Sequence, residues 1–205
     1  MTVKISAADV KSLRDRTGAG MMDSKAALEE ARGDAEKAIE ILRVKGQASA
    51  AKRSGRSTGE GVVSSYIHAT GKVGVLVEVQ CETDFVARTD EFRSFAREVA
   101  VHIAGAAPPP FHVSTDEIPD EVRDAERDVL TRRAREDGKP DDIVDKVVAG
   151  QLAKWEREVA LLEQEHINAD RYEGKTIEEL RAEIAAQTGE NVTITRFARF
   201  EVGEA

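Results

Sequence analysis

The sequence predicts an α+β protein: an N-terminal three-helix module, then a small antiparallel sheet domain with packed helices and an antiparallel coiled-coil helical hairpin. Three observations predict it. Apolar residues in the first 46 positions recur at helical spacing in three short runs, separated by Gly18-Ala19-Gly20 and Arg32-Gly33-Asp34. Val73, Val75, Val77 and Val79 alternate with other residues, the period of a half-buried strand. Two later segments repeat apolar residues every three or four positions, the seam of a coiled coil. The expected organisation is a module over residues 1–46, a linker over 47–60, and a core domain over 61–205 with its hairpin at about 118–165.

Within the module, Ser6 is a candidate cap for a helix carrying Val10, Leu13 and Thr17 on one face. A second helix spans roughly Asp23 to Ala31, with Met21 and Met22 in the turn before it. Two adjacent methionines cannot both face inward on a short helix, and a flexible exposed Met suits a binding surface. Asp34 caps a third helix with Ala35, Ala38, Ile39 and Leu42 on one side, ending at Gly46. A bundle this small buries little, so docking suits it better than catalysis. Gln47 to Glu60 is small, polar and basic, and reads as a helix tail running into a connector.

In the core domain, Gly61–His68 and Lys72–Gln80 form a hairpin around Ala69-Thr70-Gly71. A helix from about Thr89-Asp90 to Gly105 buries Phe92, Phe95, Ala96, Val99, Ala100 and Ile103, and Pro108-Pro109-Pro110 forbids its continuation. The hairpin seams are Ile118, Val122, Ala125 and Val129, then Val148, Leu152, Trp155, Val159 and Leu162, with Gly138-Lys139-Pro140 between. Thr176-Ile177-Glu178-Glu179 is a capping box for a helix with Ile177, Leu180 and Ile184 on one face. Val192, Ile194, Phe200 and Val202 alternate in a closing strand, Phe197 on its other face, placed beside the valine strand. A sheet of about three strands has open edges and a poorly covered face, so a partner or a second copy of the chain is expected.

The stretch Cys81-Glu82-Thr83-Asp84-Phe85-Val86-Ala87-Arg88 lies where the valine strand ends and a phenylalanine-rich helix has yet to begin. A large apolar ring beside a carboxylate in such a corner either plugs the domain's own core or projects into a partner. The residues alone leave both open.

Composition excludes several function classes. Of 205 residues, 40% are hydrophobic and 34% charged, and aromatics are only 4%, so the core is aliphatic and alanine-rich. A net charge of -9 argues against a dedicated nucleic-acid binder, which needs a basic surface for phosphates. Lys52, Arg53 and Arg56 are too few, and lack stacking aromatics. One cysteine, Cys81, permits neither an internal disulfide nor a zinc site, and reads as a buried strand residue in a reducing compartment. No apolar run approaches membrane-spanning length, and the N-terminus lacks a signal-peptide segment, so a cytoplasmic protein without membrane contact is expected. Phosphate-loop, H-E-x-x-H and G-x-S-x-G motifs are missing, and His68, His102, His112 and His166 show no metal-ligand spacing. Neither an enzyme, a metal nor a cofactor is expected; any acceleration would come from binding. Gly18-Ala19-Gly20 follows a helix rather than a strand and is no dinucleotide fingerprint; Arg32-Gly33-Asp34 is an interhelical turn.

Two stretches are specific. Val10-Lys11-Ser12-Leu13-Arg14-Asp15-Arg16-Thr17-Gly18-Ala19-Gly20-Met21-Met22-Asp23 resembles the opening signature of the bacterial elongation factor Ts family, and Thr83-Asp84-Phe85-Val86-Ala87 resembles its central motif. Arg199-Phe200-Glu201-Val202-Gly203-Glu204 is similar to its closing strand. Ser24 stands where cysteine is common, and Glu165-His166 replace the usual Pro-Phe after Leu161-Leu162-Glu163-Gln164, which leaves the local backbone to the structure. The resemblance implies a ubiquitin-associated-like first module and a dimerisation domain after it. It further implies a guanine nucleotide exchange factor that binds elongation factor Tu in its GDP-bound and nucleotide-free forms. Family members insert the Asp-Phe pair near the partner's Mg²⁺ site, which assigns a wedge to Asp84 and Phe85, flanked by Thr83 and Val86. Leu13, Met21, Met22 and Lys25 become docking residues. Larger relatives carry a duplicated sheet unit; resemblance to the short forms implies a homodimer in which two copies supply it through the core sheet. Two rival classes remain at this stage: a ubiquitin-associated-type adaptor and a nucleic-acid-associated coiled-coil protein.

Overall fold

The computed structural model describes residues 5–203, so Glu204 of the closing match lies outside the described residues, as do the first four positions read for a leader. Helices α1 (Ala7–Thr17), α2 (Met21–Glu30) and α3 (Ala35–Arg53) precede the hairpin β1 (Glu60–Ile67) and β2 (Val73–Cys81). After these come α4 (Asp84–Ala87), α5 (Asp90–Gly105), α6 (Asp120–Glu136), α7 (Asp141–Val159), α8 (Ala169–Tyr172), α9 (Ile177–Thr188) and β3 (Thr193–Glu201). The strands form one sheet in the order β1-β2-β3, so the closing strand lies beside the valine strand as expected. The fold is α+β.

Two compact units are assembled from separated pieces of chain. The first comprises Met1–Val63, Glu78–Ala96 and Glu179–Ile194; the second comprises Ser64–Val77, Arg97–Glu178 and Thr195–Ala205.

In the first unit, Ser6 and Asp9 form a reciprocal capping box that starts α1, the Ser6 hydroxyl accepting from the Asp9 amide. Gly18 ends α1 at φ 67°, its N–H donating to the Arg14 carbonyl. Asp34 caps α3 through the Glu36 and Lys37 amides. Val10, Leu13, Ala27, Leu28, Ala31 and Ala38 form the core of the three helices. Contrary to expectation, α3 does not end at Gly46; it runs to Arg53, so the helix tail read at the start of Gln47–Glu60 extends that far and residues 54–59 connect it to β1. Alanine-rich Gln47-Ala48-Ser49-Ala50-Ala51 supports the helix. A Cβ at Gly46 would meet the Ala186 Cβ at 3.5 Å, an ordinary van der Waals separation, so this part of α3 lies close to α9.

In the second unit, α6 and α7 form the expected hairpin, over 120–159. Gly138, at φ 72°, makes the break and Pro140 caps the restart. The α7 seam holds in part: Val148, Leu152 and Val159 are buried, joined by Val144, while Trp155 is half-buried and Leu162 lies past the helix end in a short 3-10 turn. The α6 seam is corrected: Val122 and Val129 are exposed, and Leu130 and Ala134 are buried against α7 instead. Arg123 turns the helix, donating to Glu156 Oε1 at 2.9 Å and to the Ile118 and Thr115 carbonyls. A guanidinium with that many acceptors sets the α6 face more firmly than two exposed valines can.

Glu165-His166 builds a polar joint in this unit. His102 and His166 are both buried, their rings 5.4 Å apart, and His166 lies 4.2 Å from the Tyr172 ring. His102 Nδ1 accepts from the Ile167 amide and its Nε2 meets Gln164 Oε1 at 2.9 Å; His166 Nδ1 accepts from the Asn168 amide. Both rings are thus held neutral, and burial pushes the His102 pKa down to about 4 and that of His166 down as well.

The closing strand differs from its expected pattern. Val192 and Ile194 are buried, but Phe200 and Val202 are exposed. The Val202 amide donates to the Lys72 carbonyl, which puts Phe200 beside Gly74 on the face of β2 opposite the buried Val75 and Val77. A Cβ on Gly74 would meet Ile67 Cδ1 at 3.1 Å, so Ile67 lies over the same face, as does exposed Leu76. Ile67, Leu76, Phe200 and Val202 therefore make one uncovered apolar surface at the turn end of the sheet.

Candidate functional site

The corner after β2 belongs to the first unit and is built from the Thr83 N-cap. The Thr83 hydroxyl accepts from the Val86 amide, and Asp84–Ala87 closes as a single helical turn that the periodicity reading had not foreseen. Such a turn is too short to be stable by itself. It is held from outside by Glu190, in the turn between α9 and β3. Glu190 Oε2 accepts from the Glu82 and Thr83 amides at 3.0 Å each, and Oε1 accepts from the Thr83 hydroxyl at 2.6 Å. The tie is reciprocal: Glu82 Oε1 accepts from the Asn191 amide at 2.6 Å and from Arg56 at 3.3 Å. The Asn191 amide above all, with Arg56, holds the Glu82 carboxyl below the usual carboxylate range. Asn191 is itself buried and donates to the Arg56 carbonyl.

This framework presents Phe85 outward, 80% exposed. The core-plug alternative is excluded; Ala87 and Phe92 fill the local core instead. Asp84 is half-exposed and pairs with Arg88 at 2.8 Å one turn on. Val86 is half-buried at the base of the turn. Cys81 is fully buried beneath, its thiol donating to the Thr83 carbonyl, and burial with the Glu190 charge pushes its pKa up to about 11. It is no nucleophile at neutral pH.

The docking candidates divide. Met21 and Met22 open α2 instead of preceding it, and both are exposed, at 47% and 75%. Lys25 is exposed one turn further, 3.8 Å from Glu29. Leu13 is only 2% exposed and packs in the module core, so it shapes α1 and does not offer a contact surface. The module reaches the C-terminal end of α9: Gln187 Nε2 lies 3.4 Å from the Thr17 carbonyl, and Arg53 donates to the Ala185 carbonyl. The same few residues of α9 and its following turn thus touch the loop before Met21 and hold the corner bearing Phe85. Sequence reasoning missed Glu190 and Asn191. They are 107 and 109 positions from their partners, too far apart for any local pattern to join them.

Among the described residues, no cluster of three or more His, Cys, Asp or Glu is arranged to hold a metal ion, and no helix is long and apolar enough to cross a membrane. The arrangement offers two apolar projections, Phe85 and Met21-Met22, on scaffolded backbone.

Comparison with known proteins gives the family. The family model described as elongation factor TS matches residues 6–204. Elongation factor Ts of Caldanaerobacter subterraneus subsp. tengcongensis is 54% identical over 200 residues, covering 98% of each chain. That of Carboxydothermus hydrogenoformans is 56% identical over 196 residues, covering 95% of this chain and 88% of its own. The Geobacter sulfurreducens protein is 47% identical over 202 residues, covering 98% of this chain and 91% of its own. The chain belongs to the elongation factor Ts family of translation factors.

Proposed function

We propose that the chain is a cytoplasmic guanine nucleotide exchange factor for elongation factor Tu, acting by binding and without covalent chemistry of its own. The observation that carries this reading is Phe85 held 80% exposed on a turn clamped by Glu190. A phenylalanine kept out of water-excluded packing represents unused burial free energy, about 1.5–3 kcal/mol when fully covered. With Asp84 beside it, the ring would enter near the partner's Mg²⁺ and phosphate site. Mg²⁺ demands near-ideal octahedral oxygen geometry, so a small displacement around it weakens its hold on the phosphates.

Exchange is a reciprocal coupling: the factor lowers nucleotide affinity only as far as nucleotide lowers affinity for the factor. A ten-thousand-fold effect needs about 5.5 kcal/mol of differential binding. Phe85 alone falls short, and Met21, Met22 and Lys25 on α2 supply a second contact. Self-pairing is part of the reading. Ile67, Leu76, Phe200 and Val202 form an apolar face that a second copy of the sheet would cover. Release of fluorescent GDP from purified elongation factor Tu tests the proposal. Release that rises with chain concentration supports it; release unaltered by the chain refutes it.

A further inference from the structure

We infer that Glu190 is a positioning residue for exchange, setting the direction in which Phe85 projects; the inference rests on the exchange reading. Three features point to it. The first is where the ladder stops. β2 ends at Cys81, so the Glu82 and Thr83 amides need acceptors that a strand neighbour no longer supplies. Both find them in one carboxylate oxygen, Glu190 Oε2, at 3.0 Å.

The second feature is the Thr83 hydroxyl, which does two jobs at once. It donates to Glu190 Oε1 at 2.6 Å and accepts from the Val86 amide. Donation to a charged acceptor polarises the hydroxyl and improves it as an acceptor, so the carboxylate strengthens the cap of α4. The third feature is that Phe85, four-fifths exposed, has little packing of its own to hold it. Its aim is inherited from the backbone of Glu82 and Thr83. Glu190 makes no use of an exposed position for this; it acts wholly through the corner.

Three variants and two readouts test the role. Glu190→Ala removes all three bonds. In Glu190→Gln the amide oxygen still accepts both backbone N–H groups and the NH₂ donates to the Thr83 hydroxyl. Glu190→Asp keeps the charge on a shorter stem and is the variant to use if the alanine form does not fold. With elongation factor Tu loaded with fluorescent GDP, Glu190→Ala is expected to lower the release rate at saturating chain roughly tenfold. The half-saturating concentration should move less than about twofold, because α2 docking is untouched, and Glu190→Gln should restore part of the rate, since it keeps the acceptor for both amides but not the charged acceptor for the Thr83 hydroxyl.

Independently of any partner, hydrogen exchange at the Glu82 and Thr83 amides should quicken roughly tenfold in Glu190→Ala while α1 and α5 keep their protection. A saturating rate equal to wild type, a change confined to half-saturation, or an equal loss in Glu190→Gln overturns the positioning role. Unchanged amide exchange overturns it too. If the wild-type chain itself leaves GDP release unaltered, the exchange reading fails, and the amide exchange still decides whether Glu190 holds the corner.

Discussion

Truncating Phe85 to alanine separates partner binding from folding more sharply than any other single change. The ring is 80% exposed, so its removal takes almost no packing from the folded chain. A surface change of this kind costs within about 0.5 kcal/mol, and the melting temperature should move by only a few degrees. If four-fifths of the ring becomes covered in the exchange complex, the lost burial is about 1.2–2.4 kcal/mol. At 1.4 kcal/mol per factor of ten, GDP release driven by the chain should slow roughly 7- to 50-fold. The assay is stopped-flow release of fluorescent GDP from elongation factor Tu over a range of chain concentrations, with circular dichroism melting beside it. Release as fast as wild type would refute the wedge reasoning. A drop of ten degrees or more in melting temperature would show that the ring supports the core after all.

Other expectations follow from the same geometry. Replacing Met21 and Met22 together by alanine should raise the half-saturating concentration roughly tenfold, with melting unchanged since both side chains are exposed. This is a cleaner test than removing residues 1–46, because α3 runs unbroken to Arg53 and that cut would fall inside it. Leu76→Glu or Phe200→Glu should convert a self-paired chain to monomer in sedimentation, like charges facing each other across the sheet. The buried His102 titrates at about 4 in the folded chain against about 6.5 unfolded. The unfolded chain therefore binds the extra proton first, and stability should fall as pH drops from about 6.5 to 4, by up to about 3 kcal/mol. Urea melts at pH 7 and 4.5 should show the loss, and His102→Gln should flatten that part of the curve.

Local chemistry is what the sequence made legible. Caps at Ser6 and Asp34, the helix stop at Gly18 and the break at Gly138 depend on neighbours within four residues, and each is in place. The buried alternation of Val75, Val77 and Val79 follows from strand period alone. Errors arose where a tertiary contact outweighs local signal. Gly46 reads as a helix end, but α3 continues to Arg53, whose guanidinium donates to the Ala185 carbonyl. Val122 and Val129 read as a seam until Arg123, tied to Glu156 and two carbonyls, rotates α6 away from them. The corner at Thr83–Val86 was legible as a site, but not the reason it holds its shape. Glu190 looks like one acidic residue among many, and its value comes only from meeting two amides left over at the end of β2.

On the exchange reading, a scaffolded pair of apolar projections loosens nucleotide on elongation factor Tu. The most direct test is GDP dissociation from that partner, preloaded with fluorescent nucleotide and chased with excess unlabelled GTP, as wild-type chain is added. The rate should climb with chain concentration to a plateau at least a hundredfold above spontaneous release, an acceleration needing about 2.8 kcal/mol of the differential binding. A dissociation rate that stays at its spontaneous value at every chain concentration would contradict that reading.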